Sequence, residues 1–288
     1  MCLIAFAWGA DKRFPFVIAA NRDEFFERPT APLSLWQSAG DASVLAGRDL
    51  QGGGTWMGFS PNGRFAMLTN VRHPKADLPA EPLSRGGLAL AWLKSRLAAA
   101  PWAKAVQAQH YPGFNLIIGD WQAKQCHYLT NQALVGDFSM SFSSFAGMEY
   151  AQNAMHLVAN ELPWGAIYGL SNAALDTPWP KTVRLKSALR DHLASADSQQ
   201  LIAQSLGALK HRSPPADDQL PSTGVPIALE RALSTAFVSH PLAQPNYGTR
   251  TSLVAVGEAG KGLSVTELTY AHHGSPALTT SKRMDWFV

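Results

Sequence analysis

The chain has 288 residues, 46% of them hydrophobic and 16% charged, with a formal net charge of +3. That composition supports a sizeable core and excludes a disordered chain. The basic residues are scattered, with no Lys/Arg block interleaved with aromatics, so no nucleic-acid partner is expected.

Only two cysteines occur, Cys2 and Cys126, and neither has a CxxC partner. A reducing, cytoplasmic setting is therefore expected. The first apolar run is broken by WGADKR, too soon for a signal peptide or membrane span, so no transmembrane segment is expected.

Residues 2–8 (CLIAFAW) have strand length, 9–13 read as a turn, and 14–21 (FPFVIAAN) as a second strand, giving a hairpin. Both runs are apolar throughout, which predicts a sheet covered on both faces. Residues 51–72 read as two short strands around the Pro-Asn-Gly turn at 61–63. Helical spacing of Leu88, Trp92, Leu93 and Leu97 predicts a helix over 84–100 with Ser84 as its N-cap.

Residues 111–130 read as another hairpin, and 143–162 have no decisive pattern. Two helices are predicted within 183–212, a surface loop over 213–226, and a closing hairpin over 249–271. Strands come first and last with helices between, and βα alternation is missing. This predicts one α+β domain over 1–288 with a mixed or antiparallel sheet.

Cys2 is the first candidate for chemistry. If Met1 is removed, its thiol gains a neighbouring α-amine with a pKa of about 7.7–8.0, able to take the thiol proton near neutrality. The plainer alternative is a buried structural cysteine. Asp23, in AANRDEF (19–25), ends the strand beside Cys2 and is placed to hold a terminal ammonium. Arg22 and Glu24 are then expected on the opposite face or out of the turn; a surface ion pair is the alternative.

Asn70 and Asn172 sit at strand ends, and a side-chain amide stabilises an oxyanion without adding charge. Each also suits an ordinary turn. Arg250, at the entrance to an apolar strand, would lower a thiol pKa or bind a carboxylate, unless it is simply a surface arginine.

Other features are set aside. QGGGTWMG (51–58) lacks GxxxxGK[ST], so its glycines mark a tight turn or a close backbone approach. His272 and His273 have no carboxylate or thiol at ligand spacing and read as an exposed loop. No metal or resident cofactor is expected.

Nine segments then occur in order: MCLI, NRDE (21–24), GGTWMG (53–58), LTNVR (68–72), SRGGLA (84–89), GFNLIIGD (113–120), YGLSN (168–172), LDTPWPK (175–181) and YGTRTS (247–252). Together they resemble the NRDE family, also called the transport and Golgi organisation protein 2 family, over nearly the whole chain. That family is similar to the cysteine N-terminal nucleophile hydrolases.

The resemblance implies a four-layer αββα sandwich of two antiparallel sheets with outer helices. It implies Cys2 as nucleophile, Asp23 as the holder of its amine, Asn70 and Asn172 near an oxyanion hole, and Arg250 near the thiol. One position departs: cysteine acylases carry an arginine three residues before the aspartate, where this chain has Ala20. The nearby Arg22 is expected on the opposite face.

The leading expectation is a hydrolase cleaving an amide or thioester of a small molecule. A second is a non-catalytic carrier of haem or an acyl-lipid such as acyl-CoA in the same pocket. A third is an interaction protein with no sizeable pocket at Cys2 and no depressed thiol pKa.

Overall fold

The two apolar runs at the start of the chain form β1 (Cys2–Trp8) and β2 (Phe16–Phe25). In the computed structural model, which describes residues 2–37, 43–72, 80–132, 157–195, 197–239, 246–271 and 274–286, both faces of these strands are buried. Alternate side chains explain why. Ile4, Phe6, Trp8, Phe16, Ile18 and Ala20 join one apolar cluster, while Leu3, Ala5, Ala7, Val17 and Ala19 join another.

β3 (Thr30–Gln37), β4 (Ser43–Asp49), β5 (Met57–Phe59) and β6 (Arg64–Asn70) follow. The predicted helix over 84–100 is two pieces, α1 (Gly86–Lys94) and α2 (Ala99–Ala105). The break has a cause: Ser95 turns to extended backbone, and Arg64 donates a 2.8 Å hydrogen bond to the Leu97 carbonyl inside the gap. Leu97 is consequently half exposed, and Ser84 does not cap α1.

Next come β7 (Phe114–Asp120), β8 (Gln125–Thr130), β9 (Asn160–Glu161) and β10 (Ala166–Leu170). The two predicted later helices are α3 (Pro180–His192) and α4 (Ser198–Leu209), the latter capped by the Asp197 carboxylate on the Gln200 amide. After α5 (Ile227–Leu233) the chain runs through β11 (Tyr247–Glu258), β12 (Gly262–Tyr270) and β13 (Pro276–Met284). The closing hairpin thus gains a third strand. β13 is mostly exposed and lacks an apolar pattern; its pairing with β12 holds it.

The strands make two sheets, ordered β10-β1-β2-β11-β12-β13 and β3-β4-β5-β6-β7-β8-β9. Every pairing is antiparallel. One cluster fills the space between the sheets, with Phe16 in ring contact with Trp8, Phe59, Phe65, Trp121 and Trp286. A second packs α1 and α2 on the outside of the seven-stranded sheet, and a third packs α3 and α4 on the outside of the other. Helix, sheet, sheet, helix is the four-layer αββα sandwich.

Candidate active site

Cys2 opens β1 and lies directly across from Arg22 of β2 in the antiparallel register. Cross-strand partners share a face. The thiol therefore points between the sheets, into a cleft walled by Ile4, Ala20, Trp56, Met57, Leu68 and Leu253 together with Arg22. The open space at its centre is about 10 Å³, what one water needs, about 10–15 Å³. The Cys2 carbonyl accepts a 3.0 Å hydrogen bond from Ser171 Oγ, fixing the strand start.

The four polar residues of NRDE divide by strand parity. Asn21 faces the helices, donating to the carbonyls of Leu209 (2.9 Å) and Ala236 (2.7 Å) and accepting from Ser252 Oγ (2.6 Å). It is fully engaged in tying β2 to its neighbours. Arg22 corrects the expectation made for it: it is not turned away but sits on the thiol's face. Its guanidinium stacks over Trp56 at 4.3 Å and lies 3.6 Å from Glu24. Ala20 and Arg22 share a face, so the arginine displaced by two residues still serves the same cleft. Glu24 also approaches Arg28, at 3.9 Å.

Asp23 faces away from the cleft and is fully buried, accepting a 2.6 Å hydrogen bond from Thr249 Oγ1. Burial pushes its carboxyl above the usual range, while the positive chain terminus, Lys181, the Thr249 bond and Arg72 pull it back. Lys181 is itself buried and donates to the Leu233 carbonyl at 2.8 Å. Burial lowers its pKa to about 8, against the raising influence of Asp23. Arg72 pairs with buried Glu230 at 2.9 Å. Lys181 and Arg72 escaped the sequence reading, although both lie in segments quoted for the resemblance.

The thiol is not primed as a thiolate in this structure. Burial pushes the Cys2 pKa up; the positive chain terminus and Arg22 pull it down, and Asp23 and Glu24 push it up. Arg85 also acts across this space: burial lowers its pKa, and Cys2 is first among the groups that raise it. Arg250 is engaged with backbone, next to Arg22 and Glu24. Its guanidinium donates to the carbonyls of Phe25 (2.8 Å) and Arg28 (3.0 Å), holding the β2 turn, and Arg22 is the arginine across from the thiol.

Asn70 and Asn172 are brought together: Asn172 Nδ2 donates to the Asn70 carbonyl at 2.8 Å. Asn172 Oδ1 accepts from Ser171 Oγ at 3.3 Å, and its carbonyl accepts from the Arg72 amide. Through Ser171 this cluster touches Cys2. The glycine stretch makes the close approach expected of it: a Cβ on Gly54 would lie 2.2 Å from the Gly86 carbonyl carbon. That contact seats the start of α1, and with it Arg85, beside β5.

Cys126 is a buried free thiol in the core between the sheets. Among the described residues no cluster of His, Cys, Asp and Glu is arranged to hold a metal ion. His272, His273, Met1 and most of 143–162 lie outside the described residues.

The fold and site define a four-layer αββα sandwich with a cysteine opening an inner strand. The chain matches the family described as Transport and Golgi organisation 2 over residues 1–272, and it belongs to that family. It is 30% identical over 284 residues to the Transport and Golgi organization protein 2 homolog of Bos taurus, covering 93% of this chain and 92% of that one. The Homo sapiens homolog is 27% identical over 286 residues, with the same coverage.

Among solved structures it is similar to a Caenorhabditis elegans N-acylethanolamine-hydrolyzing acid amidase ortholog. That one is 11% identical, with 89% of this chain and 92% of that one covered and a TM-score of 0.45. It is also similar to a variant of the conjugated bile acid hydrolase of Clostridium perfringens, 10% identical, covering 99% and 92%, with a TM-score of 0.46. Identities this low say nothing about the reaction.

Proposed function

We propose that the chain is a cysteine N-terminal nucleophile hydrolase, acting on an amide or thioester of a small molecule once Met1 has been removed. The observation that carries this reading is the charge collected behind Cys2. A purely structural core has no use for a buried carboxylate with a buried ammonium and guanidinium around the chain terminus, because each costs several kcal/mol to desolvate. Asp23 is the carboxylate that would serve a terminal ammonium as counter-charge, and Lys181 and Arg72 favour its ionised form. Perturbed groups concentrated at one place favour a functional site.

In this reading the thiol is neutral at rest and loses its proton during attack. Cys2 Sγ adds to the substrate carbonyl as its proton passes to the Cys2 α-amine. The leaving amine or thiol takes that proton as its bond to carbon breaks, leaving a thioester on Cys2. Water then adds to the thioester, the C–S bond breaks, an acid departs, and the thiol is reprotonated. The Asn172 amide, with Asn70 beside it, is the proposed side-chain donor for the oxyanion. Arg22 stabilises negative charge on sulfur.

One observation favours the carrier reading, in which haem or an acyl-lipid occupies the same cleft without turnover. A protonated thiol among apolar walls with a single arginine lining them suits the head of an amphipathic anion.

The deciding experiment pairs intact mass with turnover of N-acyl amides and acyl thioesters by the parent and Cys2→Ala. Removal of Met1, with hydrolysis lost in Cys2→Ala, supports the hydrolase. A retained Met1, or equal turnover in both proteins, ends it. Ligand binding that survives in Cys2→Ala without hydrolysis in either protein moves the carrier forward.

A further inference from the structure

Away from Cys2, on the outer side of the six-stranded sheet, a cleft of about 260 Å³ opens between α3 and α4. Lys181, Arg184, Lys210 and His211 line it, and no acidic residue does. We propose that this cleft is a binding site for a phosphoryl dianion, free or carried on a small monoester.

Three observations support it. First, the cations are uncompensated: among the described residues neither Arg184 nor Lys210 forms an ion pair. Arg184 and Lys210 are exposed, on the two helices that frame the opening, while Lys181 is fixed in the floor by its bond to the Leu233 carbonyl. Surface cations usually scatter or pair with carboxylates. Two exposed cations converging on a concavity that no carboxylate lines create a local positive potential that an anion relieves.

Second, the cleft is kept open by a glycine that packing does not require. Gly207 lies inside α4, where glycine costs helix stability relative to alanine. A Cβ there would meet nothing within 4 Å. With Ala188, Ala208 and Ala236 also lining the cleft, its walls are small side chains, and the long ones are the cations.

Third, charge and shape select the ligand. A monocarboxylate would match only one of the two exposed cations. A phosphoryl dianion matches the planar Arg184 fork and the Lys210 ammonium together. The small extent of the cleft, about 260 Å³, argues against nucleic acid, which needs an extended basic stripe. The space is near the lower end of small-molecule sites, about 300–1,000 Å³, so it admits a small ester.

Neither the nucleophile nor Asp23 lines this cleft, and the variants used below leave Lys181, which the cleft shares with the surroundings of Asp23, unchanged, so its test is independent of the hydrolase reading. The imidazole of His211 is the built-in reporter. Burial and then Arg184 hold its pKa down, and a bound dianion would raise it. The full-length protein is titrated with sodium phosphate and, separately, with glycerol phosphate, following the His211 ring signals by NMR, with sodium chloride at matched ionic strength as control.

Saturable binding with an upward His211 shift is expected. Arg184→Ala/Lys210→Ala and Gly207→Leu are each expected to weaken it by about tenfold or more. Tighter binding of glycerol phosphate identifies a monoester site, and equal binding identifies a free-phosphate site. The proposal is overturned if neither anion binds, if chloride reproduces the shift, or if the folded variants bind like the parent.

Discussion

Cys2 and Arg22 face each other across the β1–β2 pair, and this pairing sets a guanidinium against the only thiol in the cleft. Arg22 lowers the Cys2 pKa, opposing the larger effect of burial. Arg22→Gln is therefore expected to slow iodoacetamide labelling of Cys2 at pH 7–8, because less thiolate is present. It also loses the stack on Trp56, at a cost of about 1–2 kcal/mol. Arg250→Gln leaves the labelling rate unchanged, since that side chain is occupied with the Phe25 and Arg28 carbonyls. Rates measured across pH for the three proteins check both halves; an Arg250→Gln effect larger than that of Arg22→Gln would contradict them.

The inner hairpin was legible because β1 and the first half of β2, Phe16 to Ala20, carry apolar residues at every position, which a doubly covered sheet accommodates. Cys2 and Asp23 followed from it. Arg22 did not, because its face was assigned relative to Asp23, whereas the cleft lies on the other side of the strand. Cys2 and Asp23 lie on opposite faces of the sheet. Lys181 was hidden for another reason: in WPKTVRL it looks like an ordinary first-turn helix residue, and only the packing of α3 under Leu233 buries it. β13 and β3 had no readable pattern because exposed edge segments are held by pairing, not by burial.

Glu267 is completely buried on β12, where one carboxyl oxygen accepts the Leu33 amide at 2.7 Å. The other, Oε2, has no hydrogen-bond partner among the described residues. Burial raises its pKa to about 7, with the Leu33 bond and Arg22 working the other way. The folded state therefore holds this proton up to a higher pH than the unfolded chain does. Its contribution is fully present below pH 4.5 and is lost as pH rises towards 7, by about 3 kcal/mol. Urea unfolding at pH 4.5 and 7.5 is expected to show that Glu267→Gln gains on the parent by about this amount at the higher pH. A constant difference would rule out a proton on Glu267.

Lys181 has the opposite linkage. Its folded pKa of about 8 lies below the usual 10.5, so the unfolded chain binds more protons between those values. Its contribution to stability is smallest below pH 8 and grows by about 3 kcal/mol as pH rises to 10.5. Buried Cys2 and Tyr247, whose pKa values are raised, work against this, so the comparison must be with a variant. The stability of the parent relative to Lys181→Met is expected to rise over that range. Lys181→Met also removes a cation from beside Asp23, which should raise the Asp23 pKa and move the acid limb of any hydrolysis profile to higher pH.

The cleft at Cys2 has room for about one water, yet any acyl group must reach the sulfur. Access therefore depends on the walls giving way. Trp56 is pinned by the Arg22 stack, and a Cβ on Gly47 would lie 2.4 Å from its ring, so Trp56 fills its space tightly. Leu68, at 5% exposure, is with Ala20 and Arg22 among the more exposed wall residues after Trp56 and Cys2, and it is the one large aliphatic side chain of these. Leu68→Ala is expected to cost about 2–5 kcal/mol of stability. It should also change selectivity, speeding labelling of Cys2 by bulky maleimides more than by iodoacetamide, because the larger reagent is limited more by the wall. Paired labelling rates in native buffer read this directly. Equal acceleration of both reagents would point to general loosening of the fold, and no acceleration would place the route to Cys2 elsewhere along the cleft.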